Sequence, residues 1–277
     1  MSALNQICIT GIAATIDALL DQPCHAEAAE PIPEVLAACR QSLGQPRCRR
    51  VVMYNPDAVA QWIYEKYREA FYPLEKRASL KLPMLSVVPP VTPVCFASMY
   101  SGMQPSEHGI QKYEKPVLTV PTVFDDSAAA ACRTAIVSTS GDSISMIFQD
   151  REIDYYIYPT KQECNRKALE LIEEDDHNLI VLYNGDYDHY MHRVSPTGRR
   201  AIAALQENIA TWCALYRQIQ KSEAARHQMN RDLQDEASGT ALAFAPDHGC
   251  HEVTPFFGSH GIEQASDMNI CHFWSFL

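Results

Sequence analysis

Four short apolar runs, Val51–Tyr54, Thr134–Val137, Leu179–Tyr183 and Ala241–Ala245, recur along the chain without the polar alternation of a half-exposed strand. Such runs suit strands buried on both faces. A fifth, weaker run covers Ile153–Tyr158. Between them the apolar residues take helical spacing: Val59, Trp62, Ile63, Tyr67 and Phe71 share one face, and Ile202, Leu205, Ile209, Trp212, Tyr216 and Ile219 share another. Strands alternating with helices predict an α/β fold, a mostly parallel central sheet with helices on both faces. Ser195 and Pro196 are placed to open the second helix as cap and first residue. The charged stretch Lys221–Glu236 reads as its solvated extension.

A chain of 277 residues can bury one large core. Residues 49–277 are expected to form it, with residues 1–48 an appended segment packing on the core or covering a site mouth. Lys plus Arg number 23 against 34 Asp plus Glu, a net charge of −11 that repels phosphate backbones and anionic membranes. Nucleic acid is therefore not expected as a bulk partner. No apolar stretch reaches the roughly eighteen residues of a membrane span, and Ile7–Leu20 is interrupted by Asp17 with no basic residue before it. It reads as neither signal peptide nor anchor. The 10 cysteines are scattered without a Cys-x-x-Cys pair, which predicts reduced thiols and a cytoplasmic protein. Cys24, His25, Cys39 and Cys48 fit no zinc-finger or ribbon spacing and read as loop and core residues.

In an open α/β sheet, ligands bind beyond the carboxyl ends of the strands. Polar clusters follow the apolar runs at those places: Asn55-Pro56-Asp57, then Asn184-Gly185-Asp186-Tyr187-Asp188-His189 with His192 after it, then Pro246-Asp247-His248-Gly249. Gly258-Ser259-His260-Gly261 forms a fourth cluster. Asp188 and His192 are four apart, so a helical turn puts both on one face, able to grip one ion. Carboxylates mixed with imidazoles suit zinc, with manganese or iron next, whereas carboxylates alone would suit magnesium or calcium.

The segment PPVTPVCFASMYSGMQPSEHGI, Pro89 to Ile110, resembles the nucleophile motif of the alkaline phosphatase superfamily, in its type I phosphodiesterase and nucleotide pyrophosphatase branch. The resemblance extends to Asp188-x-x-x-His192-x-x-Ser195-Pro196, to Asp247-His248-Gly249 and to His260-Gly261, in the family's order. It implies an alkaline phosphatase-like catalytic domain with two divalent metal ions, zinc first and manganese second. Asp57, Thr92, Asp247 and His248 would hold one ion, and Asp188, His192 and His260 the other. Thr92 would be the nucleophile, forming a covalent intermediate as a phosphodiester or nucleotide pyrophosphate bond is hydrolysed. Phosphomonoesterase or phosphonate hydrolase activity is the alternative within the superfamily, and a degenerate member that binds metal and phosphate without turnover is the other. The expected partner is a small phosphorylated substrate.

The chain departs from the family pattern in places. Ala58 follows Asp57 where the family has Gly, Ser195 replaces a Gly, and Cys95 stands three positions after Thr92 where nucleotide pyrophosphatases have Asn. The residues after Cys95 lack the sulfatase pattern Cys-x-Pro-x-Arg, so it does not read as a sulfatase nucleophile. No Lys or Arg lies between Lys81 and Lys112, and none follows Arg231. Arg193 is then the one basic residue close in sequence to a candidate ligand, and it reads as solvated or paired with a nearby acid. A cavity poor in cations would favour diesters over monoester dianions. His108 reads as structural, Asp186 as a loop carboxylate, His189 and His251 as outer contacts or solvated side chains, and Tyr187, Tyr190, Phe256 and Phe257 as candidates for the site mouth.

Overall fold

The computed structural model describes residues 3–229, 238–254 and 256–277. Its strands, in chain order, are β1 (Ile7–Cys8), β2 (Arg50–Pro56), β3 (Leu80–Leu85), β4 (Thr134–Thr139), β5 (Asp154–Tyr158), β6 (Leu179–Asn184), β7 (Thr240–Phe244), β8 (His251–Thr254), β9 (Phe257–Ser259) and β10 (Asn269–Phe276). Eight form one sheet in the order β1-β3-β10-β7-β2-β6-β4-β5, and β8 pairs with β9 as a separate hairpin. Every pairing in the large sheet is parallel except those of β10, which runs antiparallel to both β3 and β7.

All five apolar runs lie in this sheet. The central strands are continuously apolar because helices cover both faces: Val51 and Met53 of β2 point into one core cluster, and Val52 and Tyr54 into the other. β3 and β10 were not anticipated. In β3, Lys81 and Pro83 are exposed in alternation with buried Leu82 and Met84, since only the two-residue β1 covers that flank. β10 is interrupted by Asn269, His272 and Ser275, whose side chains are buried and bonded. His272 Nε2 donates to the Pro246 carbonyl at 2.8 Å, and Ser275 Oγ to that of Arg77 at 2.8 Å.

The helices are α1 (Ile12–Leu20), α2 (Pro33–Leu43), α3 (Gln61–Lys66), α4 (Arg68–Glu75), α5 (Thr92–Ser101), α6 (Pro105–His108), α7 (Val123–Ala129), α8 (Ser143–Ile147), α9 (Lys161–Glu174), α10 (Asp186–Val194), α11 (Arg199–Met229) and α12 (Ala265–Met268). One face of the sheet packs on α1, α2, α5, α7 and α8, the other on α3, α4, α9, α10 and α11. The segment before β2 thus supplies an edge strand and two helices, with Ile9, Ile12, Ile16 and Val35 fully buried beside α5.

Two helix expectations are corrected. The Val59–Phe71 face is split into α3 and α4 at Tyr67, whose ψ of 35° leaves the helical region. α11 starts at Arg199, because the Gly198 N–H donates to the Ser195 carbonyl at 3.0 Å and closes a turn ahead of it. Ser195, at φ +78°, ends α10 instead of capping α11. The charged extension is helical through Met229, and its remainder to Glu236 lies outside the described residues. All ten cysteines are unpaired. Among the described residues no helix is long and apolar enough to cross a membrane.

The topology sets the site. β7, β2 and β6 are parallel neighbours, so their carboxyl ends stand side by side. β10, running the other way, begins at that same edge. There Ser86 N–H donates to the Met268 carbonyl at 2.8 Å and Gly249 N–H to that of Asp267 at 2.7 Å. The chain feeding β10 must cross this edge, and it carries His260.

Candidate functional site

Asp57 is the first residue beyond β2, its N–H donating to the Asn184 carbonyl at the end of β6, 3.0 Å away. Ala58 follows at φ +59°, a left-handed turn that Gly would adopt with less strain, and it sends the chain away while leaving the Asp57 carboxylate at the strand end. Asp247 and His248, just past β7, are fully buried. Thr92 opens α5, with Val91 extended before it and Pro93 in the first turn, where a missing N–H costs nothing. Its Oγ1 lies 3.3 Å from Asp57 Oδ2 and 3.3 Å from His248 Nε2. His248 Nε2 is in turn 3.3 Å from Asp57 Oδ1 and 3.5 Å from Asp247 Oδ2.

The second group stands on α10. Asp188 and His192 share a face four residues apart, and Asp188 Oδ1 lies 3.3 Å from both His192 Nε2 and His260 Nε2. Ring centroids of His248 and His260 are 4.2 Å apart, so the two groups adjoin. The seven side chains singled out from sequence therefore meet at one place, although they come from five separate stretches of chain.

Each of the three imidazoles directs Nδ1 at a main-chain carbonyl: His248 at Gly249 (2.9 Å), His192 at Gly258 (3.1 Å) and His260 at Pro90 (3.1 Å). A carbonyl only accepts, so Nδ1 holds a proton and Nε2 is the nitrogen that faces the carboxylates. Asp188 Oδ1 and Asp247 Oδ2 are buried without a hydrogen-bond partner. Carboxylate oxygens and imidazole lone pairs aimed at one another are mutually repulsive unless a cation lies between them. The donor set of three carboxylates, three imidazoles and a hydroxyl fits two zinc or manganese ions.

The two groups differ in electrostatics. Burial, then the charges of Asp247 and Asp188, push the Asp57 carboxyl well above its usual range. Burial also pushes Asp247 up to about 8. Burial and neighbouring His260 push His248 down to about 3. In the α10 group burial would raise Asp188, but the two imidazoles facing it, His192 and then His260, outweigh it by favouring its charged form and hold the carboxyl below the usual range. The bond to Asp188 raises His192, and for His260 the same carboxylate overcomes the lowering effect of burial.

No protein-family model matches the sequence, and no curated protein does. Solved structures do. Murine ectonucleotide pyrophosphatase/phosphodiesterase 5, an inactive threonine-to-alanine variant in complex with AMP, matches 75% of this chain and 58% of its own, with a TM-score of 0.55 and 13% identity. Phosphonoacetate hydrolase from Sinorhizobium meliloti, in complex with phosphonoformate, matches 73% of this chain and 56% of its own, with a TM-score of 0.51 and 14% identity. The fold is alkaline phosphatase-like. The chain spans less than two thirds of the length of these two structures.

On this alkaline phosphatase-like framework a cavity of about 850 Å³ opens above Asp57, Thr92, Asp188 and His192. Its walls correct the expectation of a cation-poor site, because Lys115, Lys161 and Arg193 all line it. Lys115 lies on the loop after α6 and Lys161 at the start of α9, both remote in sequence from the strand-end clusters. Lys161 is held by Asp186 and, at 2.6 Å, by Glu207. Asp186 is thus salt-bridged, not a loose loop carboxylate. Arg193 bonds to His189, and Lys115 Nζ donates to the Gly141 carbonyl at 2.8 Å.

Sequence reasoning missed Tyr183, whose buried phenol donates to Asp57 Oδ2. As the last aromatic of the Leu179–Tyr183 run it read as core. Among the mouth candidates, Tyr190 lines the cavity. Tyr187 is fully buried, with its hydroxyl donating to the Pro196 carbonyl at 3.1 Å. Phe256 and Phe257 are exposed around the hairpin and are absent from the cavity lining. His251 pairs with Asp267 at 2.8 Å. His108 accepts the Ile110 N–H at Nδ1 and donates from Nε2 to Ser98 Oγ at 2.9 Å, which ties α6 to α5.

Proposed function

We propose that this chain hydrolyses phosphoric esters, with phosphodiesters or nucleotide pyrophosphates as substrates and Thr92 as the covalent nucleophile. One ion, zinc first and manganese second, would be held by Asp57, Thr92, Asp247 and His248, and a second by Asp188, His192 and His260. The observation that carries this reading is the Thr92 hydroxyl, at the start of a buried helix and 3.3 Å from both Asp57 and His248. When bound, the ions supply Lewis-acid charge that makes the Thr92 hydroxyl acidic enough to attack at neutral pH and offsets charge on the phosphoryl oxygens.

The protein groups do the rest. α5 points the N–H groups of its first turn toward an anion held beside Thr92. Tyr183 fixes one Asp57 oxygen, leaving the other to face His248. The carbonyls of Gly249, Gly258 and Pro90 lock the three imidazole rings, so little reorganisation accompanies reaction. The cavity has room for a nucleotide-sized leaving group. The complexes of the two structural neighbours, with AMP in one and phosphonoformate in the other, support a small phosphorylated ligand here.

A phosphonate or monoester reading is favoured by Lys115, because a cation in the wall suits a substrate with an additional negative charge. A substrate panel separates the two. The diester reading expects a higher kcat/KM for bis-nitrophenyl phosphate or a nucleotide 5′-nitrophenyl ester than for nitrophenyl phosphate. A monoester preference of about tenfold, about 1.4 kcal/mol in the transition state, overturns it. Activity lost on chelation and regained with Zn²⁺ or Mn²⁺ tests the ions separately.

A further inference from the structure

At the opposite end of α5 from Thr92, a second group of potential ligands comes together. Asp17 lies on α1, Cys24 and His25 on the loop after it, and Asp126 on α7. One ligand atom from each lies within 4.8 Å of all the others. Cys39 and Cys48, the neighbours of Cys24 and His25 in the sequence, take no part and are buried in the core.

The geometry is that of a built site. Asp17 is 1% exposed. Gln22 Nε2 donates to its Oδ1 at 2.6 Å, and Oδ2 has no hydrogen-bond partner. His25 Nε2 lies 2.8 Å from the Ser101 carbonyl, which can only accept, so Nε2 carries the proton and Nδ1 is the nitrogen facing Asp126 Oδ2, 2.6 Å away. The three active-site imidazoles are anchored in the same manner, one nitrogen on a main-chain carbonyl and the other toward a carboxylate. Among the described residues, neither Asp17 nor Asp126 has a Lys or Arg as ion-pair partner, and His25, charged only when Nδ1 also takes a proton, is the one group that can offset two carboxylates and a thiol. A cavity of about 170 Å³, lined by Cys24, His25 and Asp126, provides a path in, and Cys24 is exposed.

We propose that Asp17, Cys24, His25 and Asp126 form a structural zinc site, additional to the ions at Thr92. Four ligands, one a thiolate, one an imidazole and two carboxylates, satisfy zinc's tetrahedral preference, while the sulfur and nitrogen donors disfavour calcium and magnesium. Binding forms a Zn–S bond and releases the thiol proton to solvent. The ion would fasten the loop after α1 and the α7 helix to the end of α5. That loop already touches the helix end, because Ala29 N–H donates to the Gly102 carbonyl at 2.9 Å. A ten-residue helix spans about 15 Å, so the site acts on α5 as a mount and not on the reacting atoms.

The sulfur ligand makes the test specific, since the ligand set around Thr92 contains none. The metal-depleted full chain is titrated with Co²⁺. A thiolate-to-cobalt charge-transfer band is expected, displaced by Zn²⁺, retained in Asp57→Asn and Asp188→Asn, and lost in Cys24→Ser. Absence of the band in the wild-type protein, or its persistence in Cys24→Ser, overturns the proposal. A measurement without variants guards against misfolding: Zn²⁺ should slow alkylation of Cys24 by iodoacetamide by about tenfold or more, followed by peptide mass spectrometry. An unchanged Cys24 rate also overturns it. No hydrolysis by the metal-loaded wild-type chain, with the band intact, would instead count against the active-site reading alone.

Discussion

Asp247 and His248 are wholly buried at the end of β7, whereas His192, one helical turn from Asp188 on α10, keeps 40% of its side chain exposed. The first group comes from strand ends locked in the sheet, and the second is assembled from a helix and the chain feeding β10. The same residue types consequently meet opposite fates. Desolvation drives the inner carboxylates and His248 toward their neutral forms, while mutual pairing drives Asp188, His192 and His260 toward their charged forms. An inner group that cannot hold charge alone is the one a bound cation would stabilise most, and Thr92 sits on that side.

The sharpest break in this comparison is Thr92→Ala. Turnover is expected to fall by about a thousandfold or more while metal content is retained, since six other ligands remain. Metal analysis beside single-turnover kinetics checks both halves, and a near wild-type rate would remove Thr92 as nucleophile.

Next in size is a contrast in stability. His248→Ala empties a fully buried position between Asp57 and Asp247 and should cost about 2–4 kcal/mol in urea unfolding. His192→Ala, half in solvent, should cost less than about 1 kcal/mol yet still lose one ion. Equal costs would erase the distinction between the groups.

The desolvation that acts on His248 also acts away from the proposed ligands. His108 is pushed down to about 4, chiefly by burial, against an ordinary value of 6.5. A folded-state pKa below the unfolded one means that its contribution is fully present above pH 6.5 and is lost as pH falls toward about 4. Wild-type stability should therefore decline relative to His108→Gln across that interval, read as urea midpoints at matched pH. A gap between the two proteins that stays constant from pH 7 to 4 would contradict it.

The smallest expected effect lies in the cavity wall. Lys115→Ala should raise KM for nitrophenyl phosphate about threefold and leave bis-nitrophenyl phosphate unchanged, because a partly exposed cation is screened by solvent. A larger loss on the monoester would shift the substrate reading toward phosphonates and monoesters.

Much of the molecule was legible in its sequence for a local reason. An apolar run flanked by polar residues marks a strand buried on both faces together with its end, so Asp57, Asp188, Asp247 and His248 could be found without coordinates, and the Thr92 segment by its resemblance. Strand order, and the direction of β10, could not. Asn269, His272 and Ser275 look polar in sequence, and only their hydrogen bonds inside the fold make them compatible with a buried strand. That reversed strand is what returns the chain across the carboxyl edge and sets His260 beside Asp188.

Lys115, Lys161 and Tyr183 escaped for the same reason, since a side chain's neighbours across a cavity carry no signature in local spacing. Asp17 and Asp126 lie more than a hundred residues apart, and no periodicity relates them to Cys24 and His25. The strand ends and the polar side chains gathered beyond them were thus written in the sequence, because hydrophobic patterning and short-range motifs are local properties of the chain. The pairing of charges, the tautomer of each histidine and the meeting of α1 with α7 were decided by tertiary structure, because desolvation and Coulomb energy depend on distance in space.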